Sequence, residues 1–310
     1  MATRQGQPTL PRRRSLPSAA RRRLFAFSLL APAAAIVLLV ILYPLVMAAR
    51  ISFHDVRVFQ AAQGIQGPAT IWNYQDMFGS ADFWHALKVS LYYVFFGTLG
   101  SLAIGLCTAL LLNQRFRGRV LARVLLVLPW PIPGVVAALI FMWMFNASYG
   151  VINYFLLKLH LVSAPINWFT QPIPALVAVL VATIWKGYPF FTVTLLAGMQ
   201  SIPGELYEAA RVDGANPSQQ LRFITLPALR PVIGIGLVIS SLWLFRAFEY
   251  IFVMTGGGPS RSTETLSIQI YKEAFAYFHM GYAAAVGMVT LVISVLVTLF
   301  YLRYISKDFY

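Results

Sequence analysis

The sequence contains few charged residues and a single cysteine. Charged side chains make up 11% of its 310 residues, whereas soluble domains average roughly 25%. One cysteine, Cys107, excludes a disulfide within the chain and a cysteine-based zinc site. Pervasive disorder is excluded because 59% of the residues are hydrophobic. These absences indicate an integral membrane protein.

Signatures of catalysis and cofactor binding are also missing. No G-x-x-x-x-G-K-[ST] motif occurs, so the chain lacks that route to binding nucleotide phosphates. The glycine-rich run 256–258 has no following lysine and is typical of a turn. The four histidines are far apart, and no Ser-His-Asp arrangement is indicated. We expect no metal, no cofactor and no catalytic residue on this chain.

Six apolar stretches are long enough to cross about 30 Å of hydrocarbon as helices, which takes roughly 20 residues each. They lie at 24–48, 87–112, 122–146, 173–199, 232–254 and 282–302. None alternates as a strand of a membrane β-barrel would. The first stretch is too long for the apolar core of a secretory signal, so we expect a retained helix. The sequence predicts an all-α membrane protein with six transmembrane helices.

Lysine and arginine counts predict the orientation, because cytoplasmic connections carry the excess. Seven lie in the tail 1–23, four in the second connection, three in the fourth and two at the C-terminus, against six on the other side. Both termini are therefore predicted to be cytoplasmic, and the net charge of +14 reports topology rather than nucleic-acid binding. We expect a disordered tail, an extracytoplasmic connection over 49–84 with short interfacial helices, and an amphipathic segment at 151–161.

The fourth connection, 203–231, is the most informative. Glu208 suits the early turns of a short helix, and Gly214 permits a left-handed break after it. A second short helix is predicted from Pro217, ending before Pro227. Two short helices at an angle would form a docking surface for a partner. The alternative is a polar loop at the membrane interface.

The motif spacing in this connection resembles the EAA loop of binding-protein-dependent ABC importer permeases. The loop consists of Glu208-Ala209-Ala210, then Gly214, then Ile224-x-Leu226-Pro227. Three further motifs are similar to the carbohydrate branch: Asp213-Gly214-Ala215, Trp185-Lys186-x-x-Pro189-Phe190 and Thr255-Gly256-Gly257-Gly258-Pro259. The resemblance covers about 85–305 and is to the first of two permeases, the one like the larger membrane subunit of the maltose importer. Leu221 and Glu249 depart from it, since Phe and Asp are usual there.

The resemblance implies a type I ABC importer transmembrane domain over 85–305 in a bacterial inner membrane. Its implied partners are a second, homologous permease, an ATPase dimer that binds ATP and Mg²⁺, and an extracytoplasmic solute-binding protein. The EAA loop would couple this chain to the ATPase. The implied coupling residues are Glu208, Ala209, Ala210, Asp213, Gly214, Ala215, Leu221, Leu226 and Pro227.

The resemblance also implies a sugar site on the helices that flank the EAA loop. The residues carried over are Lys186, Gly187, Phe190, Ser240, Trp243, Leu244 and Ala247. Positions 240, 243, 244 and 247 share one helical face, and an aromatic wall suits a sugar ring. The alternative for this face is helix packing. Lys186 leaves open an anionic or phosphorylated sugar, and Arg246 and Glu249 are predicted to neutralise each other.

Two other functions compete with this assignment. A secondary sugar transporter or channel would need internal repeats and coupling-ion residues, which the sequence does not show. A membrane enzyme would need clustered His, Asp or Glu at one membrane face, and none is apparent. Neither alternative explains the EAA loop.

Overall fold

The structure is a computed structural model that describes residues 18–57 and 67–306. Within those ranges the regular elements are helices. One isolated antiparallel bridge pairs Arg57 with His279. The prediction of an all-α membrane fold is therefore confirmed. Most of the predicted tail lies outside the described residues, as does 58–66 of the predicted connection 49–84.

The helices follow one another along the chain with three π-helical turns between or beside them. They are α1 (Ser18–Val37), α2 (Tyr43–Ser52), α3 (Trp72–Gly79), α4 (Ala81–Asn113), α5 (Arg119–Val127), α6 (Gly134–Met144), α7 (Val151–Lys158), α8 (Pro172–Gln200), α9 (Gly204–Val212), α10 (Pro217–Gln220), α11 (Leu226–Phe245), α12 (Glu249–Met254), α13 (Leu266–Tyr271) and α14 (Met280–Ser306). The π-helical turns are Leu38–Leu42, Leu221–Thr225 and Lys272–Ala276.

The described residues fall into two units, and the smaller one covers 18–50. It contains α1, the π-helical turn Leu38–Leu42 and most of α2, which together give an apolar helix over Phe25–Ser52. Its large apolar side chains are exposed within this unit. A helix of this length and composition is suited to lipid on all sides.

Five described helices are long and apolar enough to cross a membrane. They are Phe25–Ser52, Ala81–Asn113, Pro172–Gln200, Pro217–Phe245 and Met280–Tyr301. Four of them contain or overlap the spans predicted at 24–48, 87–112, 173–199 and 282–302. The short helices α3 and α7 also form where the sequence predicts interfacial segments. Hydropathy therefore located four long apolar helices.

The third predicted span, 122–146, is not one helix. Helix α5 ends at Val127, α6 begins at Gly134, and turns occupy the stretch 128–133 between them. Three prolines in that stretch explain the break, because proline lacks an N–H and disfavours helical backbone in the preceding residue. They are Pro129, Pro131 and Pro133. The prediction of a continuous helix is wrong here, and α6 remains as a shorter apolar helix of 11 residues.

The fifth predicted span, 232–254, is displaced towards the N-terminus. Its helix ends at Phe245, and α12 begins separately at Glu249. Arg246 therefore does not share a helix with Glu249, and its Nε donates to the Leu242 carbonyl at 3.3 Å. The predicted neutralisation of Arg246 by Glu249 is wrong, because it assumed a continuous helix.

The second short helix of the fourth connection does not end before Pro227. A helical stretch continues from Pro217 to Phe245 through the π-helical turn Leu221–Thr225. In that turn the Leu226 N–H bonds to the carbonyl five residues back, at Leu221. Such wider turns accommodate a proline, which has no N–H to offer the helix. The predicted stop is therefore wrong.

Helices α4 and α8 form the central pair of the larger unit. A Cβ added to Gly105 of α4 would overlap the side chain of Phe191 on α8, so the two backbones approach closely. Close approach through small residues is typical of helix packing in membranes. Hydroxyl pairs also bridge the two helices. They are Tyr93–Thr183 at 2.7 Å and Thr108–Thr192 at 2.6 Å.

Candidate functional site

We call the fourth connection, 203–231, the coupling segment after its predicted role. It consists of a short helix, a tight bend and the start of a second helix. Helix α9 begins after Pro203, and Glu205 lies in its first turn, where a negative charge favours the helix dipole. Glu208 lies one turn further on, and its side chain is exposed together with those of Ala209 and Asp213. These three of the predicted coupling residues are therefore available to a partner.

The bend after α9 depends on Gly214, which has a φ of +80°. The Gly214 N–H bonds to the Arg211 carbonyl at 3.1 Å, and the Ala215 N–H bonds to the Ala210 carbonyl at 2.8 Å. These two bonds form a Schellman motif, which satisfies the last carbonyls of a helix and requires a left-handed residue. The left-handed conformation predicted for Gly214 is confirmed, and Ala210 and Ala215 contribute through their backbones.

The second arm of the segment begins with a capping box. The Asn216 side chain accepts the Gln219 N–H at 2.9 Å, and the Gln219 side chain accepts the Asn216 N–H at 2.8 Å. A hydrogen bond of 2.9 Å between the hydroxyls of Tyr207 and Thr225 ties this arm to α9. The structure thus fixes the angle between the two arms from within the chain. The remaining assigned residues, Leu221, Leu226 and Pro227, are half-buried.

Large apolar side chains also project from the segment, and sequence reasoning missed them. Val212 is 87% exposed, Phe223 is 68% exposed and Leu206 is 51% exposed. Apolar exposure of this size on a short segment indicates a contact with another protein or with lipid. Their position in the sequence could have identified them, since each lies within the coupling segment, 203–231. Leu221, which the resemblance places among the coupling residues, is more buried than these three.

The proposed sugar residues divide into an aromatic pair and a set that packs helices together. Phe190 on α8 and Trp243 on α11 meet edge to face, with ring centroids 4.9 Å apart. Trp243 is 47% exposed and Phe190 is half-buried. The structure therefore brings two of the seven residues together as an aromatic wall with one open side.

Four of the seven residues lie in contacts between helices. The Ser240 hydroxyl is buried and donates to Thr98 Oγ1 at 3.4 Å. A Cβ added to Gly187 would approach Ser101 Oγ to 2.6 Å, so this glycine marks a close approach to α4. Leu244 and Ala247 pack against the buried core. These contacts match the packing alternative of the sequence analysis.

Lys186 lies one turn before Phe190 on α8 and contacts the break in the third predicted span. Its Nζ donates to the carbonyl oxygens of Pro129 at 3.2 Å and Trp130 at 2.6 Å, and also to that of Ile132. A lysine ammonium has three N–H donors and no acceptor. Lys186 therefore directs its donors to backbone carbonyls in this structure.

A network of charged side chains around Glu264 was not anticipated from the sequence. The buried Glu264 carboxylate accepts from Arg261 at 2.6 Å and from Lys272 at 2.5 Å. Arg261 also pairs with Asp82 of α4. Burial alone would lower the pKa of Arg261, but the hydrogen bonds to Glu264 and Asp82 outweigh burial and raise that pKa above its ordinary value. His85 contacts the Arg261 carbonyl at 3.1 Å, so the network holds the loop 255–265 against α4.

Comparison with known proteins identifies relatives over most of the chain. The family model described as "Binding-protein-dependent transport system inner membrane component" matches residues 101–307. The trehalose/maltose transport system permease protein MalF of Thermococcus litoralis is 34% identical over 286 residues, 91% of this chain and 94% of that protein. The sulfoquinovosyl glycerol transport system permease protein SmoG of Agrobacterium fabrum is 37% identical over 288 residues, 92% of each chain.

A solved structure shares the fold. It is a bacterial ABC transporter involved in the import of the acidic polysaccharide alginate, and the superposition has a TM-score of 0.80 at 24% identity. The match covers 93% of this chain and 97% of that one. The chain therefore belongs to the family of inner membrane components of binding-protein-dependent transport systems, which are permease subunits of ABC transporters and not enzymes.

Proposed function

We propose that this chain forms part of the translocation pathway of an ATP-driven importer that takes up a sugar or a related polyol. The observation that carries the proposal is the exposed coupling segment, in which Glu208 stands on α9 ahead of the left-handed bend at Gly214. The printed functions of the relatives, trehalose/maltose and sulfoquinovosyl glycerol transport, support a carbohydrate substrate. A secondary transporter would have no use for such a segment.

The proposed assembly contains this chain, a second homologous permease, an ATPase dimer and an extracytoplasmic binding protein. The coupling segment would sit in a cleft of the ATPase, with Glu208 paired to a basic residue and the apolar side chains of Val212 and Phe223 covered. The ATPase would bind ATP and Mg²⁺. The family description, which names a binding-protein-dependent system, supports the external receptor.

The aromatic pair of Phe190 and Trp243 is the part of the predicted sugar site that the geometry supports. Aromatic faces bind the C–H surface of sugar rings, and the exposed side of Trp243 offers such a face. Lys186 gives no support to an anionic sugar, because its donors already bind carbonyl oxygens. Neutral and anionic or phosphorylated sugars are therefore compared directly in the uptake experiment.

Uptake by the complete complex tests the proposal. Proteoliposomes containing both permeases and the ATPase, with ATP inside, should accumulate a sugar only when its loaded binding protein is outside. A panel of neutral and anionic sugars presented by that binding protein identifies the substrate class. Uptake without ATP, or uptake without the binding protein at an undiminished rate, would contradict the assignment.

Replacing Trp243 by alanine should slow uptake or change the preference among sugars, because it removes the exposed half of the aromatic wall. Packing of one aromatic ring against another contributes about 1 kcal/mol beyond the area it buries. Uptake kinetics for several sugars measure the effect, and co-purification of the ATPase verifies assembly. Trp143→Ala, which removes an exposed tryptophan from α6, is the matched control. Wild-type kinetics for Trp243→Ala with every sugar would assign this residue to packing.

Both termini are proposed to lie in the cytoplasm of a bacterium, with the chain crossing its inner membrane. A reporter fused after Tyr310 should read cytoplasmic, and one inserted near Gly67 should read external. The physical reason is the excess of lysine and arginine on the predicted cytoplasmic side. A cytoplasmic signal from the insertion near Gly67 would overturn this orientation.

A further inference from the structure

The break at 128–133 places several backbone carbonyls that lack a helical N–H partner inside a segment that hydropathy assigns to the membrane. Prolines occupy half of the stretch, so the helical partners of the preceding carbonyl oxygens are missing. Hydrocarbon offers no water, and an unsatisfied carbonyl there is costly. Irregular backbone at this depth therefore needs partners from elsewhere in the protein.

The ammonium group of Lys186 supplies these partners. It binds three carbonyl oxygens of the break, from residues 54 to 57 positions away in the sequence. Three donors meet three acceptors, which uses the hydrogen-bonding capacity of the ammonium. A methionine at this position is unbranched and only one atom shorter, and it has none of the donors.

Glu249 also lies close to this break. A Cβ added to Gly134, the first residue of α6, would overlap the Glu249 carboxylate. A carboxylate at this end of α6 interacts favourably with the helix dipole. It also interacts electrostatically with the Lys186 ammonium. Cation and anion thus flank the break, and each comes from a different helix.

The location of this pair connects it to the pathway. Lys186 and Phe190 are four residues apart on α8, so they lie on the same face, and Phe190 contacts Trp243. Helix α8 ends at Gln200, just before the coupling segment begins at Gly204. Helix α12, which carries Glu249, packs against α6 through Ile251 and Met254. The break therefore lies beside α8, which carries Phe190 of the aromatic pair and leads to the coupling segment.

We propose that Lys186 and Glu249 are positioning residues for transport, which hold the broken third span against α8 and α12 beside the aromatic pair and do not bind the substrate. The inference rests on the proposed importer function for its transport consequence. Its structural consequence can be measured without any substrate.

Thiol accessibility of the break is the first test. In the complete complex, with Cys107 replaced by serine, a cysteine at Ile132 reports on the break, because the Ile132 side chain is half-buried against the core. Lys186→Met should raise the rate of maleimide modification at least about tenfold, as expected for loss of charged hydrogen bonds. Lys186→Arg, which keeps the charge and the donors, should stay near the parent rate.

Glu249 and a surface lysine provide the comparison variants. Glu249→Gln should raise the modification rate in the same direction, and the double variant should show less than the combined effect, because both residues act on one break. Lys88→Met, which removes an exposed lysine from α4, should change nothing. Equal modification rates in Lys186→Met and its parent, or a larger effect for Lys88→Met, would overturn the proposal.

Sugar uptake separates positioning from substrate contact. If Lys186 is a positioning residue, Lys186→Met should lower the maximum uptake rate by the same factor for all sugars. The order of preference among the sugars should not change. A changed order of preference would make Lys186 a substrate contact and contradict the proposal. If the parent complex transports no sugar at all, the proposed function fails, while the thiol result still decides the role of Lys186 and Glu249 at the break.

Discussion

Glu208→Lys and Gly214→Val are each expected to abolish uptake and to reduce the amount of ATPase that co-purifies with the membrane subunits. Glu208 is exposed on a short helix with no core of its own, so its proposed function is to pair with a partner. Truncating one member of a charge pair that is desolvated at an interface costs about 2–5 kcal/mol. Reversal of the charge adds repulsion to that loss.

Gly214→Val acts on the backbone instead. Its φ of +80° lies in the left-handed region, which costs roughly 1–2 kcal/mol for ordinary residues and more for β-branched ones. Gly204→Val is a matched control, because a Cβ at either position meets nothing within 4 Å, and only Gly214 has a positive φ. If Gly204→Val and Gly214→Val lose uptake and ATPase recovery to the same extent, the left-handed bend is not the cause of the loss.

The measurement is uptake together with ATPase recovery after purification. Glu208→Gln, which keeps the shape of the side chain, should give an intermediate result. Binding of sugar by the external receptor should be unaffected in every variant, because the segment is proposed to lie on the opposite side of the membrane. Normal uptake and normal ATPase recovery in Glu208→Lys and Gly214→Val would refute the coupling assignment.

Glu264→Ala is expected to cause the largest loss of stability. The buried carboxylate is the shared partner of Arg261 and Lys272, so its removal leaves Lys272 without this anion and leaves Arg261 paired with Asp82 alone. Removing one partner of a buried ion pair costs roughly 3–5 kcal/mol. That loss corresponds to a fall of roughly 5–10 °C in the thermal midpoint of the purified complex. Looser packing of the loop 255–265 against α4 is the expected structural result, because Arg261 keeps its contacts with Asp82 and His85.

Glu273→Gln is the control for this variant. Burial raises the pKa of Glu273 above its usual value, so the neutral form is already favoured more than in water. Its contact with His279, 3.1 Å between Oε2 and Nδ1, involves a histidine that is about half exposed. Replacement by a neutral side chain should therefore change the thermal midpoint much less than Glu264→Ala does. Equal shifts of the thermal midpoint in the two variants would show that the Glu264 network does not stabilise the protein more than the Glu273 contact does.

Hydropathy was sufficient for the helical class and for four of the long apolar helices, because those properties depend on length and composition. It failed where prolines change the backbone. Three prolines between Val127 and Gly134 break the third span, and a π-helical turn carries the fifth span through Pro227. The prolines are visible in the sequence, whereas the turn that absorbs Pro227 depends on local geometry.

In the candidate site, too, features with a local sequence signature could be predicted and contacts between distant residues could not. Gly214 could be recognised from its spacing to Glu208, since a left-handed bend after a short helix has a local signature. The partners of Lys186 could not, because they lie in a different span and are backbone atoms that carry no residue signal. Glu264 was equally hidden. Its partner Arg261 is local, but the link from Arg261 to Asp82 crosses most of the chain.

The unbroken helix from Pro217 to Phe245 has a geometric consequence for how motion can pass along it. The distance from Pro217 to Trp243 along the axis is about 40 Å, at 1.5 Å per residue. A helix of this length can transmit rotation as well as displacement. Rotation of its first turn, next to the bend, would therefore change the direction in which the Trp243 side chain points. One inserted residue anywhere between them would turn Trp243 by ~100° around the axis, away from Phe190. The number of residues between the bend and the aromatic pair is thus itself a constrained quantity.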